Sequence, residues 1–175
     1  FTCVPNGYSR EEVESSDPLS PETTALLPKS KFLVGYTGTI GTANALGTMV
    51  EAAAKLKDHD DIAFVIVGKG RDRDQIAADI LRRGLKNIHL IEAIPKRQIQ
   101  TMLGYFDACL ICCHNIPLYR FGVAANKMAE YLYSGRPTIH CYSGYDDPIL
   151  KYGAGLSVRA EDPTGRHDSI VPLWM

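Results

Sequence analysis

At 175 residues, with 45% hydrophobic and 22% charged side chains, the chain has the size and make-up of one well-buried globular domain with room for a tail. A formal net charge of −1 argues against broad nucleic-acid binding. No apolar run approaches the roughly 18 residues of a membrane-spanning helix.

The chain opens on Phe1-Thr2-Cys3-Val4-Pro5-Asn6-Gly7, which has neither the basic start nor the apolar stretch of a signal peptide. A start without Met is expected of a piece cut from a longer chain. Residues 9–30 are rich in Ser, Glu, Asp and Pro and read, with the first residues, as an entry segment and linker, 1–30, before the core. From Lys31 the pattern turns regular. It predicts strands at 32–36, 63–67, 88–91, 108–112, 138–141 and 156–158. Between them it predicts helices at 43–57, 72–83, 96–105 and 124–134, with a short one at 147–152. Near-continuous apolar strands imply burial on both faces, hence a mostly parallel sheet. Strand–helix alternation makes residues 31–160 a doubly wound α/β domain of about six strands, Rossmann-like in plan. Residues 161–175 show no clear period, and no structure is predicted for that tail.

Ligands of such sheets bind beyond the carboxyl ends of the strands, so the loops there carry the functional expectation. After the first strand comes Gly35-Tyr36-Thr37-Gly38-Thr39-Ile40-Gly41, whose small residues let the backbone approach a pyrophosphate. The same glycines fit a nicotinamide enzyme. However, the second strand ends in Val67-Gly68-Lys69-Gly70 with no ribose-binding acid, and no Tyr has Lys four residues on. A plain tight turn is the structural alternative. The run Val67-Gly68-Lys69-Gly70-Arg71-Asp72 lacks the spacing of a P-loop. In it Asp72, or Asp74 just beyond, serves as a helix start, and Lys69 is placed to line a ligand. In Ile91-Glu92-Ala93-Ile94-Pro95-Lys96, Pro95 suits a first helical position.

The most informative stretch runs from Tyr119 to Pro137. It reads as a loop, a helix from about Ala124 to Ser134, and a stop at Gly135 and Pro137. Asn126, Lys127 and Glu130 fall within about 100° of one another on the helical wheel. A helix N-terminus attracts phosphate, so amides and Lys127 suit a diphosphate and Glu130 suits sugar hydroxyls. The alternative is an amphipathic helix with a solvated polar face.

Five cysteines, Cys3, Cys109, Cys112, Cys113 and Cys141, form no second C-x-x-C pair, and reduced core thiols are favoured over zinc or redox chemistry. The histidines His59, His89, His114, His140 and His167 show no metal-ligand spacing. His114 follows the fourth strand, where a surface imidazole is the simpler reading.

Taken in order, these pieces resemble the C-terminal half of a GT-B fold glycosyltransferase of the retaining family 4. Val4-Pro5-Asn6-Gly7 is similar to that domain's entry, Gly35 to Gly41 to its first loop, and Val65-Ile66-Val67-Gly68-Lys69-Gly70 to its second. Residues 87–95 resemble the strand and loop beside the nucleobase. Phe106-Asp107-Ala108-Cys109-Leu110 resembles the next strand, and Glu130-Tyr131-Leu132-Tyr133-Ser134-Gly135-Arg136-Pro137 the "E-A-M-A-x-G-x-P" helix. The family carries two glutamates eight residues apart. Glu130 matches the second, and Gly122 stands at the first. Tyr119-Arg120-Phe121-Gly122 with Asn126-Lys127 instead resembles a branch that makes bacterial surface polysaccharides. The family's Arg and Lys of the first glycine loop are also missing, with Thr39, Ala43, Asn44 and Ala45 in that stretch.

The resemblance implies retaining transfer from a nucleotide-sugar, a UDP-sugar being one candidate, with no separate cofactor and no metal. It implies a donor site of Gly38, Thr39, Lys69, Ile94, Arg120, Phe121, Gly122, Val123, Ala124, Asn126, Lys127 and Glu130. In it Glu130 takes the ribose, Ile94 the base, and Lys127 or Arg120 the phosphates. The acceptor, a saccharide or lipid-linked saccharide, is expected on an N-terminal domain outside this chain, which also supplies the catalytic base. The isolated domain is expected to be inactive, and the protein to work in the cytoplasm, with the inner membrane face as one place for the full-length enzyme. A sugar-nucleotide epimerase of similar fold and a non-catalytic nucleotide-binding module are the rival readings.

Overall fold

A computed structural model describes residues 8–123 and 125–161. The expected entry motif at Val4 to Gly7, Ala124, and the tail beyond Glu161 lie outside the described residues.

Six strands form one sheet: β1 (Phe32–Thr37), β2 (Ile62–Val67), β3 (Ile88–Ile91), β4 (Ala108–Cys112), β5 (Thr138–Cys141) and β6 (Gly155–Val158). Their order is β3-β2-β1-β4-β5-β6, and every pairing is parallel. The chain winds outward from β1 to one edge, then returns to lay β4 on β1's other side. The carboxyl ends of β1 and β4 therefore flank the switch point, where such sheets open a crevice.

Alternation along the strands splits the core into two layers. Val34, Tyr36, Phe64, Ile66 and Leu110 face α3 (Gly47–Lys55), packing on Met49, Val50 and Ala53. Leu33, Val65, Cys109 and Ile111 face the other side, with Met102 and Leu103 of α5 (Ile99–Gly104) and Tyr131 of α6 (Asn126–Ser134). The remaining helices are α1 (Arg10–Glu14), α2 (Pro21–Ala25), α4 (Arg73–Arg82) and α7 (Pro148–Lys151).

Residues 9–30 carry more structure than their composition predicts. Ser9 and Ser20 cap α1 and α2 by accepting from the amides of Glu12 and Thr23, and Pro21 occupies the first turn of α2. Asp17 fastens the stretch to the sheet's flank. Its amide donates to Arg97 O at 2.9 Å, and Arg97 Nε meets its carboxylate at 3.0 Å. Leu27 then enters the core.

Two expected helices break near their starts. The helix expected over 43–57 begins as a 3-10 turn, Thr42–Asn44, and Ala45 then turns left-handed at φ 45° before α3. Asn44 is diverted because its side chain donates back to Thr39 O at 2.9 Å, the competition that short polar side chains offer the helix backbone. Pro95 stands one residue before its helix, in extended conformation, rather than inside it, and a 3-10 turn, Lys96–Gln98, leads into α5. Gly135 ends α6 at φ 69°, as a left-handed glycine cap should. Among the described residues no helix is long and apolar enough to cross a membrane.

Candidate nucleotide-binding cleft

A cleft of about 810 Å³ opens at the switch point between the β1 and β4 ends. One wall is the first glycine loop, with Thr37, Gly38, Thr39 and Asn44. The floor is Ile111, Cys112 and Cys113. The far wall combines the 3-10 turn Pro117–Phe121 with the start of α6. The structure thus gathers Gly38, Thr39, Phe121, Gly122, Val123, Asn126, Lys127 and Glu130 around one space. Lys69 and Ile94 line an adjoining hollow of about 200 Å³, which shares Gly38, Thr39 and Ile99 with the main cleft. Arg120 lines neither space. Its guanidinium lies over the Phe121 ring at 4.5 Å, and its carbonyl accepts from the amide of Tyr145.

The glycines after β2 have a structural task. The Gly38 amide donates to Val67 O at 3.0 Å and the Ile40 amide to Lys69 O at 2.9 Å, so the first two loops lie backbone against backbone. A Cβ on Gly68 would sit 1.9 Å from Gly38 O, and one on Gly70 would sit 2.1 Å from Ile40 O. Asp72 precedes α4 but makes no side-chain cap there. Its carboxylate accepts instead from Thr42 Oγ1 at 3.0 Å.

Helix α6 opens on the cleft through Ala125, Asn126 and Lys127, and no side chain caps its N-terminus. Such an end carries partial positive charge and free amides. Lys127 adds a full charge. Its ammonium donates to Tyr36 Oη at 3.1 Å and to Asn44 Oδ1, and lies 4.7 Å from the Tyr36 ring centre. Among the described residues no carboxylate lies within ion-pair distance of it. Burial holds its pKa down at about 8, since desolvation penalises the charged form.

Glu130 is neither solvated nor open. It is 7% exposed, and its carboxylate is ion-paired with Lys96 Nζ. Gln100 Nε2 donates to its carbonyl at 3.1 Å. A carboxylate accepts about four hydrogen bonds, so this pairing leaves it capacity for others. The next residue, Tyr131, faces the sheet, where its hydroxyl accepts from the Thr37 amide at 2.8 Å and donates to Thr37 O at 3.2 Å, which pins α6 to the end of β1. Burial pushes that phenol well above its ordinary value, so it stays neutral.

Cys3 lies outside the described residues, and the four described thiols are core thiols. Cys109, Cys112, Cys113 and Cys141 are buried and unbridged, and burial raises Cys113 to about 11 and Cys109 to about 12. His114 belongs to the far side of the first loop. Its Nδ1 lies 2.6 Å from Glu161 Oε1 and its Nε2 meets Thr42 O, so it ties two loops together. Among the described residues no cluster of His, Cys, Asp or Glu could hold a metal ion.

Sequence reasoning missed Asn44 and Lys96 as cleft residues, and Tyr36 as a buried partner of Lys127. Tyr36 reads as core, which it is, but its hydroxyl, at the carboxyl end of β1, meets Thr39 O and the Lys127 ammonium. Asn44 stands inside a stretch that reads as helix. Lys96 carries only the signal of a basic residue just after a strand-end loop.

Comparison with known proteins bears on family and fold. The model of the family described as glycosyl transferases group 1 matches residues 31–174. The chain is 36% identical over 85 residues to the putative colanic acid biosynthesis glycosyl transferase WcaI of Escherichia coli K12, a stretch covering 49% of this chain and 21% of WcaI. Its fold is similar to a glycosyltransferase from Rickettsia africae (TM-score 0.71, 14% identity, 94% of this chain and 44% of that one). It is also similar to HepE of Anabaena in complex with UDP-glucose (TM-score 0.69, 13% identity, 94% and 43%). The chain spans less than half the length of each of these proteins. The all-parallel sheet is that of the Rossmann-like half of GT-B enzymes, and the chain belongs to the glycosyl transferases group 1 family.

Proposed function

We propose that this chain is the donor-binding domain of a retaining glycosyltransferase that takes a nucleotide-sugar, with a UDP-sugar as the leading candidate. One observation carries the reading: a half-buried ammonium, Lys127, with no carboxylate partner, beside an uncapped helix N-terminus in the switch-point cleft. An unpaired buried cation is costly to the fold, and an anionic ligand offsets that cost. A diphosphate placed over α6 meets Lys127 and the loop amides, with Gly38 and Thr39 on the opposite wall. Glu130, held by Lys96, faces the ribose, and the hollow beside Lys69 and Ile94 takes the base. UDP-glucose bound to HepE supports this class of ligand.

In transfer, the bond from the anomeric carbon to the diphosphate breaks and negative charge grows on the leaving oxygens. Groups aimed there in advance lower the barrier. Lys127 and the α6 amides are so aimed. The acceptor, a saccharide or lipid-linked saccharide, is met by a domain outside this chain, and the work belongs to the cytoplasm or the inner face of the membrane. Surface-polysaccharide synthesis fits the likeness to WcaI.

Calorimetry of the chain with UDP, GDP and ADP tests the site. At least one should bind, and no heat at millimolar ligand would overturn the reading. With the full-length enzyme, NMR of the product's anomeric centre tests retention. An inverted product refutes that part, and interconversion of UDP-sugars without transfer would install the epimerase instead.

A further inference from the structure

We infer that Tyr36 and Asn44 are positioning residues for Lys127, two neutral acceptors that hold its ammonium at the mouth of the diphosphate site without neutralising it. The inference rests on the proposed donor site.

Lys127 rises from α6, which packs on one face of the sheet, and its side chain reaches across the strand ends to the other layer. There it meets Tyr36 Oη from β1 and Asn44 Oδ1 from the first loop. A lysine stem is flexible, so its head needs fixed acceptors to stay in one place. Both acceptors are themselves fixed by a third atom, the carbonyl of Thr39. Tyr36 Oη donates to it at 2.7 Å and Asn44 Nδ2 at 2.9 Å. Tyr36 has one proton, spent on Thr39 O, so only lone pairs remain for the ammonium. The Asn44 amide is likewise oriented. Reversed, it would turn N–H groups toward the cation and lose both bonds. The result is a closed ring of Lys127, Tyr36, Thr39 and Asn44 around the first turn after β1.

Room for the ring comes from Gly38. A Cβ there would stand 3.2 Å from Lys127 Cε and 3.3 Å from Tyr36 Oη. Neutrality of the partners matters as much as their placement. A carboxylate at either position would pair with the ammonium and compete with phosphate, whereas an amide and a phenol orient it and leave its charge available. The titratable groups around Lys127 agree. Tyr36 is pushed up by burial and stays neutral, Cys113 is raised to about 11, and Cys112 lies beneath. On its own helix Glu130 is engaged by Lys96.

The test uses the chain with UDP and with inorganic pyrophosphate, which bypasses the base, and uridine as control. Affinity is measured from pH 6.5 to 10. Tyr36→Phe should weaken pyrophosphate about 3- to 10-fold and leave uridine unchanged. It should also move the pH midpoint of binding down, because the charged lysine has lost an acceptor. Asn44→Asp should weaken both anions tenfold or more and move the midpoint up, because a new carboxylate favours the ammonium. The ligands' own titration is common to all variants and cancels. In a Lys127→Ala background Tyr36→Phe should cost nothing further. Wild-type binding with midpoints that do not move apart, or an equal Tyr36→Phe loss with and without Lys127, overturns this inference and leaves the donor site standing. Wild type that binds neither anion overturns both.

Discussion

Lys127→Met separates a functional lysine from a structural one. At neutral pH the folded chain holds an ammonium where it is partly dehydrated. The fall from 10.5 to about 8 corresponds to about 3 kcal/mol against the charged form. The head is open to the cleft on one side, so part of that cost is screened. Met also leaves the Asn44 and Tyr36 oxygens without that donor, which removes roughly a further 1 kcal/mol. The net expectation is a variant about 1–2 kcal/mol more stable at pH 7, or about 2–8 °C higher in Tm for a chain of this size. Between pH 8 and 10.5 the unfolded lysine binds more protons than the folded one, so wild-type stability rises with pH relative to Met. The advantage of Met should therefore shrink through that window and vanish above it. Urea unfolding at pH 7, 9 and 10.5 measures this. In the same variant, diphosphate affinity should fall about 10- to 150-fold, the worth of a charge-assisted contact of about 1.5–3 kcal/mol. A Met variant that is less stable at pH 7, with a gap to wild type that does not change up to pH 10.5, would refute the argument. It would mean that the ammonium is well solvated or holds the fold together.

Three other substitutions probe the surroundings. Glu130→Gln should weaken nucleoside and nucleotide alike by about 1.5–3 kcal/mol, since it removes the carboxylate from the ribose side and not from the phosphate side; equal affinity with a lowered Tm would assign Glu130 to the fold alone. Gly68→Ala must displace Gly38 O, only 1.9 Å from the new Cβ, and should lower stability by about 1–3 kcal/mol and nucleotide affinity with it; an unchanged urea midpoint would show that the loops slide apart freely. Tyr131→Phe strands the buried Thr37 amide and should cost about 1–3 kcal/mol in unfolding experiments, with a loss under about 0.5 kcal/mol counting against the pinning role.

The sheet was legible because its signal is redundant. The inner strands β2 and β4 are unbroken apolar runs with punctuation on both sides, and β3, β4 and β5 fall where the pattern puts them to the residue. The site was legible where it coincides with an element boundary, as at Gly122, Asn126 and Lys127. It was illegible where a polar atom sits at the end of an apolar residue, as in Tyr36, or where a side chain unmakes the helix that its neighbours suggest, as Asn44 does. Glycines were ambiguous in a particular way. Gly68 and Gly70 resemble part of a phosphate loop without its spacing and serve loop-on-loop packing, and a Cβ on Gly35 would fall 1.9 Å from the Phe106 ring. Asp107 likewise spends its carboxylate on the Leu33 amide at 2.8 Å, closing the start of β1. Close approach is a three-dimensional fact, and one sequence cannot say whether a glycine makes room for a ligand or for another loop.

Arg120 marks a limit of a different kind. On a linear motif it is as good a phosphate ligand as Lys127, seven residues away. The intervening turn decides between them. Residues Pro117–Phe121 coil as a 3-10 turn, and Gly122 at φ 116° then redirects the chain into α6. That bend puts Arg120 against Phe121, outside the cleft, and starts a helix whose second residue reaches β1. The cation is thus supplied from the β4 side of the switch point and oriented from the β1 side. A ligand held by Lys127 bridges the two halves of the sheet, so its affinity depends on the separation of two loops that share no strand. The packing of the second loop on the first, Gly68 against Gly38, fixes the β1 side of that separation. Affinity at the proposed donor site is consequently expected to respond to residues that never touch the donor.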